Sequence, residues 1–355
     1  FDENNIIPKK SQNPAFAPSG VSSFGNRKFT SLIIEPQVEF TDSIGKGMLS
    51  VLAGATMQEQ KEKGVRITAT GYTNDALLQT LNGAASITVN NQFSLYRYAA
   101  FFGRINYQLN SRYILNLTGR RDGSTKFGPG RQWGSFGAIG AAWIFSSEGF
   151  ASKFKNWLSF GKIRLSYGSS GNDQIANYQY MDGWGVQSNP YQSVPGIAPA
   201  RLFNPKYSWE LSRKMEAGLE LGFFNNKILS EISFYRHRSG NQLVQYALPA
   251  QTGFTSIIAN LPALIQNTGI ELSIQAKIID RTNLKWSLNG VVTLPHNKLL
   301  SFPDLETSSY ATSYVIGEPL TLLYSYLFTG IDSTTGVYRF QDINNDGKYT
   351  RDDYS

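Results

Sequence analysis

The densest run of candidate ligand oxygens is Asp342-Ile343-Asn344-Asn345-Asp346-Gly347-Lys348-Tyr349-Thr350-Arg351-Asp352-Asp353. Side-chain oxygens stand at the first, third and fifth positions, Gly at the sixth and a carboxylate at the twelfth, which is the spacing of an EF-hand-like calcium loop. In that reading Asp342, Asn344, Asp346, the Lys348 carbonyl, Thr350 and Asp353 converge on Ca2+, hard oxygens around a hard cation. Asp353 reaches less far than the Glu usual at the last position and predicts weaker binding through one oxygen. The alternative is an Asn/Asp/Gly-rich surface turn that needs no ion.

Other reactive residue types point away from catalysis. Glu216 and Glu220 could imitate a glycosidase pair. Both fall on the polar side of one alternating segment among glycines, however, and lining of a polar surface explains them better. The chain has two His, His237 and His296. Each sits where a strand is expected to end, without a Ser or Asp motif around it, so surface roles are expected. Gly128-Pro129-Gly130 and Gly137-Ala138-Ile139-Gly140 lack the strand-to-helix context and the Lys of a phosphate loop. Cys is absent, which removes disulfides, thiolate metal sites and Cys nucleophiles. No catalytic residue is assigned.

The segment 169–211 concentrates rings: Tyr178, Tyr180, Trp184, Tyr191, Phe203, Tyr207 and Trp209. Flat rings can stack on sugar faces or clasp apolar side chains. Trp184 and Tyr180 lead the candidates for substrate contact, with Tyr178 and Trp209 beside them. The alternative is that these rings pack the loop or meet a partner protein.

These groups must be positioned by strands. Of 355 residues, 41% are hydrophobic, 13% aromatic and 17% charged, a mixture that excludes disorder and coiled coil. The net charge of +7 is dispersed singly or in pairs along the chain, so no nucleic-acid partner is expected. No apolar run approaches the roughly 18 residues of a membrane helix, and mean hydropathy is −0.28. A membrane β-barrel remains open, because its strands alternate.

Alternation dominates. Ile270, Leu272, Ile274, Ala276 and Ile278 share one face of 269–279, with Glu271, Ser273, Gln275 and Lys277 on the other. Segments 284–294 and 215–223 repeat the pattern, and 104–109, 113–120 and 162–167 carry weaker copies. Further strands are expected at about 31–41, 46–56, 132–145, 227–238 and 319–331. Short turns at Ser43-Ile44-Gly45, Asn110-Ser111, Asn225-Asn226 and 280–283 alternate with long connections at 57–96, 169–211, 239–268 and 295–318. Short-long alternation is the signature of an up-and-down barrel crossing a membrane, with tight turns on the periplasmic side. A soluble sandwich more often has comparable loops at both ends. Tyr113, Trp133, Trp143, Trp157, Tyr167, Phe223, Phe224 and Trp286 near strand ends suit interfacial girdles. The fold class is therefore all-β, an antiparallel up-and-down transmembrane barrel, of which roughly 10 or 11 strands are present.

The run Arg120-Arg121-Asp122-Gly123-Ser124-Thr125-Lys126-Phe127-Gly128-Pro129, followed by Trp133-Gly134-Ser135-Phe136 and Ala141-Ala142-Trp143-Ile144-Phe145-Ser146, resembles the SusC/RagA family of TonB-dependent outer-membrane transporters of Bacteroidetes. Similar stretches follow in order. They are Lys162-Ile163-Arg164-Leu165-Ser166-Tyr167-Gly168, Gly171-Asn172-Asp173-Gln174-Ile175 and Asn204-Pro205 through Trp209-Glu210. Phe224-Asn225-Asn226-Lys227, Leu248-Pro249 with Thr252-Gly253-Phe254, Asn267-Thr268-Gly269-Ile270-Glu271-Leu272, Gly317-Glu318-Pro319-Leu320 and the acidic 342–353 complete the series. Thr125-Lys126 stands where the family usually has Ser-Arg, and Thr268 where a basic residue is common.

The resemblance implies a barrel of about 22 strands, with a plug and a TonB box ahead of it. Residues 1–355 are then expected to be an internal piece of the barrel, about half, with the plug and terminal strands absent and 342–353 a loop within it. It also implies uptake of an oligosaccharide, or a peptide, under a SusD-like lipoprotein, with TonB pulling the plug and outer-membrane lipid around the barrel of a Gram-negative cell. A soluble secreted β-rich carbohydrate-binding module is the competing class, and a β-rich glycoside hydrolase a third. Hydrophobicity by face separates the first two.

Overall fold

Residues that alternate in polarity pair with neighbours that alternate in phase, and this builds the sheets. A computed structural model describes residues 2–16, 19–186, 191, 192, 194–323, 325–350 and 353. The strands are β1 (Asp2–Ile7), β2 (Gly20–Ile34), β3 (Gln37–Ile44), β4 (Gly47–Tyr72), β5 (Ser86–Leu109), β6 (Tyr113–Ser124), β7 (Trp133–Trp143), β8 (Leu158–Asn172), β9 (Gly183–Val186), β10 (Ile197–Arg201), β11 (Glu210–Phe223), β12 (Ile228–Ala247), β13 (Ser256–Arg281), β14 (Leu284–Ser301), β15 (Phe328–Ile331) and β16 (Tyr338–Phe340). Among the described residues the only helical elements are short 3-10 turns, and none is long and apolar enough to cross a membrane.

Two units are distinguished, Phe1–Gly140 with Gly171–Trp209, and Ala141–Ser170 with Glu210–Ser355. In the first, strands are ordered β1-β2-β4-β5-β6-β7, and β3 also pairs with β4. β2 and β3 are successive partners of β4, separated at Glu35-Pro36. Pro lacks an N–H for the ladder, and the Pro36 carbonyl still accepts from Ala55 N–H at 3.0 Å. In the second unit the order is β8-β11-β12-β13-β14. The tight turns fall where expected. Asn110, Ser111, Asn225, Asn226 and Gly45 take positive φ, the conformation that Asn and Gly tolerate best in hairpins.

Register lines up the apolar rows. Leu219, Ile232, Leu272 and Val292 are cross-strand partners in turn, as are Ala217, Phe234, Ile270 and Leu294. These residues stay open to the surroundings: Leu294 is 65% exposed, Val292 53% and Ile270 48%. A soluble sandwich would cover such a row with a second sheet. Buried apolar clusters lie instead around the strand extensions and the segments folded on them. Ala69, Tyr72 and Leu78 form one, and Leu261, Ala263, Ile265, Leu299 and Phe302 another. Apolar rows without a protein cover are what hydrocarbon-facing strands require.

The strands run well past the expected bounds. β4 extends to Tyr72 and β5 starts at Ser86, so the connection expected over 57–96 is largely ladder. The same holds for 239–268 and 295–318, which β12, β13 and β14 partly fill. In Gln58-Glu59-Gln60-Lys61-Glu62-Lys63 both faces are polar, so alternation vanishes while pairing continues. The strand expected over 319–331 shrinks to β15, which pairs with β16, while the Leu320 N–H is taken by Asn297 Oδ1.

Candidate functional site

The polar face of the first unit is a platform for the 173–209 segment. Alternation puts Arg120, Asp122 and Ser124 on one side of β6 and Arg121 on the other. Arg120 Nε meets Asp122 Oδ1 at 2.5 Å and its Nη2 donates to the Tyr98 hydroxyl. One step higher, Asp173 Oδ2 accepts from Tyr96 Oη and Ser124 Oγ, both at 2.9 Å. Lys126 Nζ donates to the Asp173 carbonyl at 2.9 Å and stands 4.5 Å from the centroid of the Tyr96 ring. The 120–129 run is thus a fastening: it holds the root of the aromatic segment on the sheet.

β5 continues beyond the end of β6, which leaves backbone groups of Leu95 without a β6 partner. Tyr178 fills the gap. Its hydroxyl accepts from Leu95 N–H at 2.8 Å and donates to Leu95 C=O at 3.2 Å. Trp209 Nε1 donates to the Gln132 carbonyl, and its ring packs 4.8 Å from Phe127 and 5.6 Å from Phe136. The Tyr180 carbonyl accepts from Asn204 N–H, and its ring covers Gly128, where a Cβ would stand 3.0 Å from it. Tyr178, Tyr180 and Trp209 therefore share the packed base of the segment.

Trp184 stands apart from them. It lies on β9, opposite Pro199 of β10, and is 62% exposed, with Nε1 donating to Asp182 at 3.0 Å. Val186, Tyr191, Val194 and Ile197 are also largely exposed. This β9–β10 arm offers apolar surface with a ring at its centre. Residues 187–190 and 193, inside the same segment, lie outside the described residues.

The second unit carries an open charged wall. Lys162 Nζ meets Glu220 at 3.0 Å, and Arg164 contacts Glu216, Glu220 at 3.3 Å and Glu231 at 2.6 Å. Gly218 sits under this fork, since a Cβ there would lie 2.6 Å from Arg164 Nε. Glu216 and Glu220 are neutralised by cations on the neighbouring strand, an arrangement for a polar lining rather than for an acid and a nucleophile. Beside them a cavity of about 740 Å³ is lined by residues including Glu216, Tyr235, His237, Asn267, Glu271 and His296. Both His lie inside strands, not at the loop junctions expected, because β12 and β14 run past them. Their convergence on one cavity follows from register, where His237 pairs with Asn267 and His296 with Thr268.

The 342–353 loop is closed by its own backbone. Asp342 accepts from Gly347 N–H at 2.8 Å and Asp346 N–H at 3.2 Å, Asn344 from Asp346 N–H, and Asp346 from Lys348 N–H. Asp353 accepts from Thr350 and Ile343 N–H, both at 2.8 Å, which joins the two ends of the loop. The Thr350 N–H above all holds the Asp353 carboxyl below the ordinary carboxylate range. Among the described residues no group of three or more His, Asp or Glu is gathered as for a metal ion. Arg351 and Asp352 lie outside them.

Residues 13–354 match the family described as TonB dependent receptor-like, beta-barrel. The chain is 30% identical over 352 residues to TonB-dependent receptor P26 of Formosa agariphila, covering 90% of this chain and 35% of that protein. It is 28% identical to TonB-dependent receptor SusC of Bacteroides thetaiotaomicron, covering 77% of this chain and 27% of that one. Among solved structures, the RagAB peptide transporter superposes with a TM-score of 0.84 at 23% identity, covering 95% of this chain and 38% of the other. The chain spans about a third of the length of the curated relatives it matches. The relatives are named as TonB-dependent receptors, and the solved structure as a peptide transporter. The chain belongs to the TonB-dependent receptor β-barrel family.

Proposed function

We propose that this chain forms part of the barrel wall of an outer-membrane importer that takes up oligosaccharides, in preference to peptides, in a Bacteroidetes-type Gram-negative cell. One observation carries the reading. The aromatic segment is fastened to the polar face through Asp173 and holds the exposed ring of Trp184 away from its packed base. A flat, exposed ring on a fixed arm suits the apolar face of a pyranose. Ligand would be held there under a SusD-like lipoprotein lid until TonB displaces the whole protein's plug; within the second unit, Lys162, Arg164, Glu216 and Glu220 would supply polar lining. Ion-paired side chains that leave part of their surface open give a polar solute charge-assisted hydrogen-bond partners. The test is titration of the full-length transporter with matched panels of oligosaccharides and peptides. A saccharide that binds and loses about tenfold in affinity in Trp184→Ala supports the reading. Binding confined to peptides would replace oligosaccharide with peptide.

A second reading concerns the acidic loop. We propose that 342–353 takes up Ca2+ through Asp342, Asn344, Asp346, the Lys348 carbonyl, Thr350 and Asp353. The Asp353 bonds to Thr350 and Ile343 support it by bringing the last position of the loop back to the first. Calorimetric titration of the full-length protein with Ca2+ to millimolar levels tests it, and heat that is unchanged in Asp342→Asn would remove the assignment.

A further inference from the structure

The outward face of the first unit changes character along β4. From the Gly45 turn its outward row is Leu49, Val51, Ala53, Ala55 and Met57, and then Glu59, Lys61 and Lys63. The twelve steps from Gly47 to Glu59 span about 40 Å of strand. At a tilt of about 45° that is roughly 28 Å of height, just past an apolar band about 25 Å tall. The charges therefore begin at the level of the outer headgroups. Phe101 and Trp133, stacked at 6.4 Å, mark the same level, with Arg121 5.7 Å from the Trp133 ring.

Three lysines crowd that level. Lys28 is the direct cross-strand partner of Lys63, and Lys61 is two residues from Lys63 on the same face. Like charges placed opposite each other destabilise a ladder. The carboxylate beside them, Glu59, is engaged by Arg97 at 2.8 Å. Among the described residues no carboxylate pairs with Lys28, Lys61 or Lys63. They line a cavity of about 390 Å³ that shares Leu32 and Glu59 with a neighbouring groove of about 450 Å³. That groove is largely apolar, walled by Leu32, Ile34, Met57, Ala99 and Trp133. Gly123 lets Trp133 lie flat against the sheet, for ring atoms stand 3.0 Å from where its Cβ would be.

We propose that this surface binds a phosphorylated lipid of the outer leaflet, with an acyl chain in the groove and a phosphate among Lys28, Lys61 and Lys63. An apolar slot ending in cations that no described carboxylate pairs with, Lys63 standing 5.9 Å from the Phe93 ring centroid, matches an anionic amphiphile in both parts. A phosphate would convert the lysine–lysine opposition into charge-assisted hydrogen bonds. The inference rests on the membrane-barrel reading of this face and is independent of what the transporter imports.

The test uses the full-length transporter in nanodiscs of a zwitterionic phospholipid, so that insertion itself checks the barrel reading separately. Phosphorylated lipid A, the same lipid A enzymatically dephosphorylated, and inorganic phosphate are compared by native mass spectrometry and thermal melting. The expected result is a one-to-one adduct and a raised Tm with phosphorylated lipid A alone. Replacing the three lysines together (Lys28→Gln, Lys61→Gln, Lys63→Gln) should weaken it about 100-fold and raise the lipid-free Tm by removing the repulsion. Ala99→Phe, which fills the groove and keeps every charge, should also weaken it. Equal binding of dephosphorylated lipid A, an equal Tm gain from inorganic phosphate, or affinity within about threefold in the triple variant would overturn the proposal. Should the triple variant fail to insert, the lipid comparison and Ala99→Phe decide.

Discussion

Asp173 of the first unit and Arg164 of the second are both part-buried charges on the polar face of a sheet, and they are used differently. Asp173 accepts two hydroxyl hydrogen bonds beneath a folded segment. Arg164 stands over three carboxylates beside an open cavity, and its side chain and theirs remain a quarter to a half exposed. A charge with a few fixed neutral donors locks a loop in place. A charge in a partly solvated ion-pair cluster leaves a polar surface open. The same alternating sequence pattern yields both, and what decides is whether a segment folds back over it.

Breaking the fastening should have the largest effect. Asp173→Ala leaves the Tyr96 and Ser124 hydroxyls without their acceptor, a loss of about 3 kcal/mol. Proteolysis within 173–209 of the full-length protein should accelerate about 100-fold, whereas Asp173→Asn, which still accepts, should lie between. Next comes the wall. Arg164→Ala should cost about 1 kcal/mol, because the pairs are partly solvated, and added salt should shrink the difference further. Equal costs for the two variants would erase the distinction between fastening and lining.

Trp184→Ala belongs to neither class. Its ring is exposed and its indole bond to Asp182 is local, so stability should change by less than about 0.5 kcal/mol while ligand affinity falls. A stability loss comparable to that of Asp173→Ala would place Trp184 in the packed base instead.

The smallest effect concerns pH at the β15–β16 hairpin. The Thr335 and Thr334 N–H groups and then the Arg339 guanidinium hold the Asp332 carboxyl well below the ordinary carboxylate range. A depressed pKa means stabilisation that is complete above the unfolded value of about 3.9 and lost only as pH falls from there toward the folded value. Amide exchange at Gly336, whose N–H donates to the Asp332 carbonyl at 2.8 Å, should therefore keep its protection from pH 7 to about pH 4. Asp332→Asn should weaken that protection at pH 7.

How much of this the sequence discloses depends on what each residue faces. β13 and β14 are legible because one side meets an apolar phase and the other a polar one, so 270–278 alternates cleanly. The extension of β4 through 58–63 is not, since both faces are wet and pairing alone maintains the strand. The 120–129 run is recognisable as a motif, yet its use is not: Asp173 lies 49 residues beyond Ser124, and spacing carries no sign of that contact. The ring-rich 169–211 segment is visible in composition. That Tyr178, Tyr180 and Trp209 pack its base while Trp184 stays out follows only from the fold: β5 outruns β6 beneath Tyr178, and Tyr180 and Trp209 rest on the 127–136 stretch. The meeting of His237 and His296 on one cavity likewise depends on register across β12, β13 and β14.

The central claim is that alternate residues of one strand face lipid and a polar interior. The 355 residues contain no Cys; with any Cys elsewhere in the full-length transporter replaced by Ser, single Cys substitutions can be placed along β13 at Ile270, Glu271, Leu272, Ser273 and Ile274. In outer-membrane vesicles a membrane-impermeant maleimide should label positions 271 and 273 and spare 270, 272 and 274. Uniform labelling, or labelling of the 270, 272 and 274 set, would contradict the account.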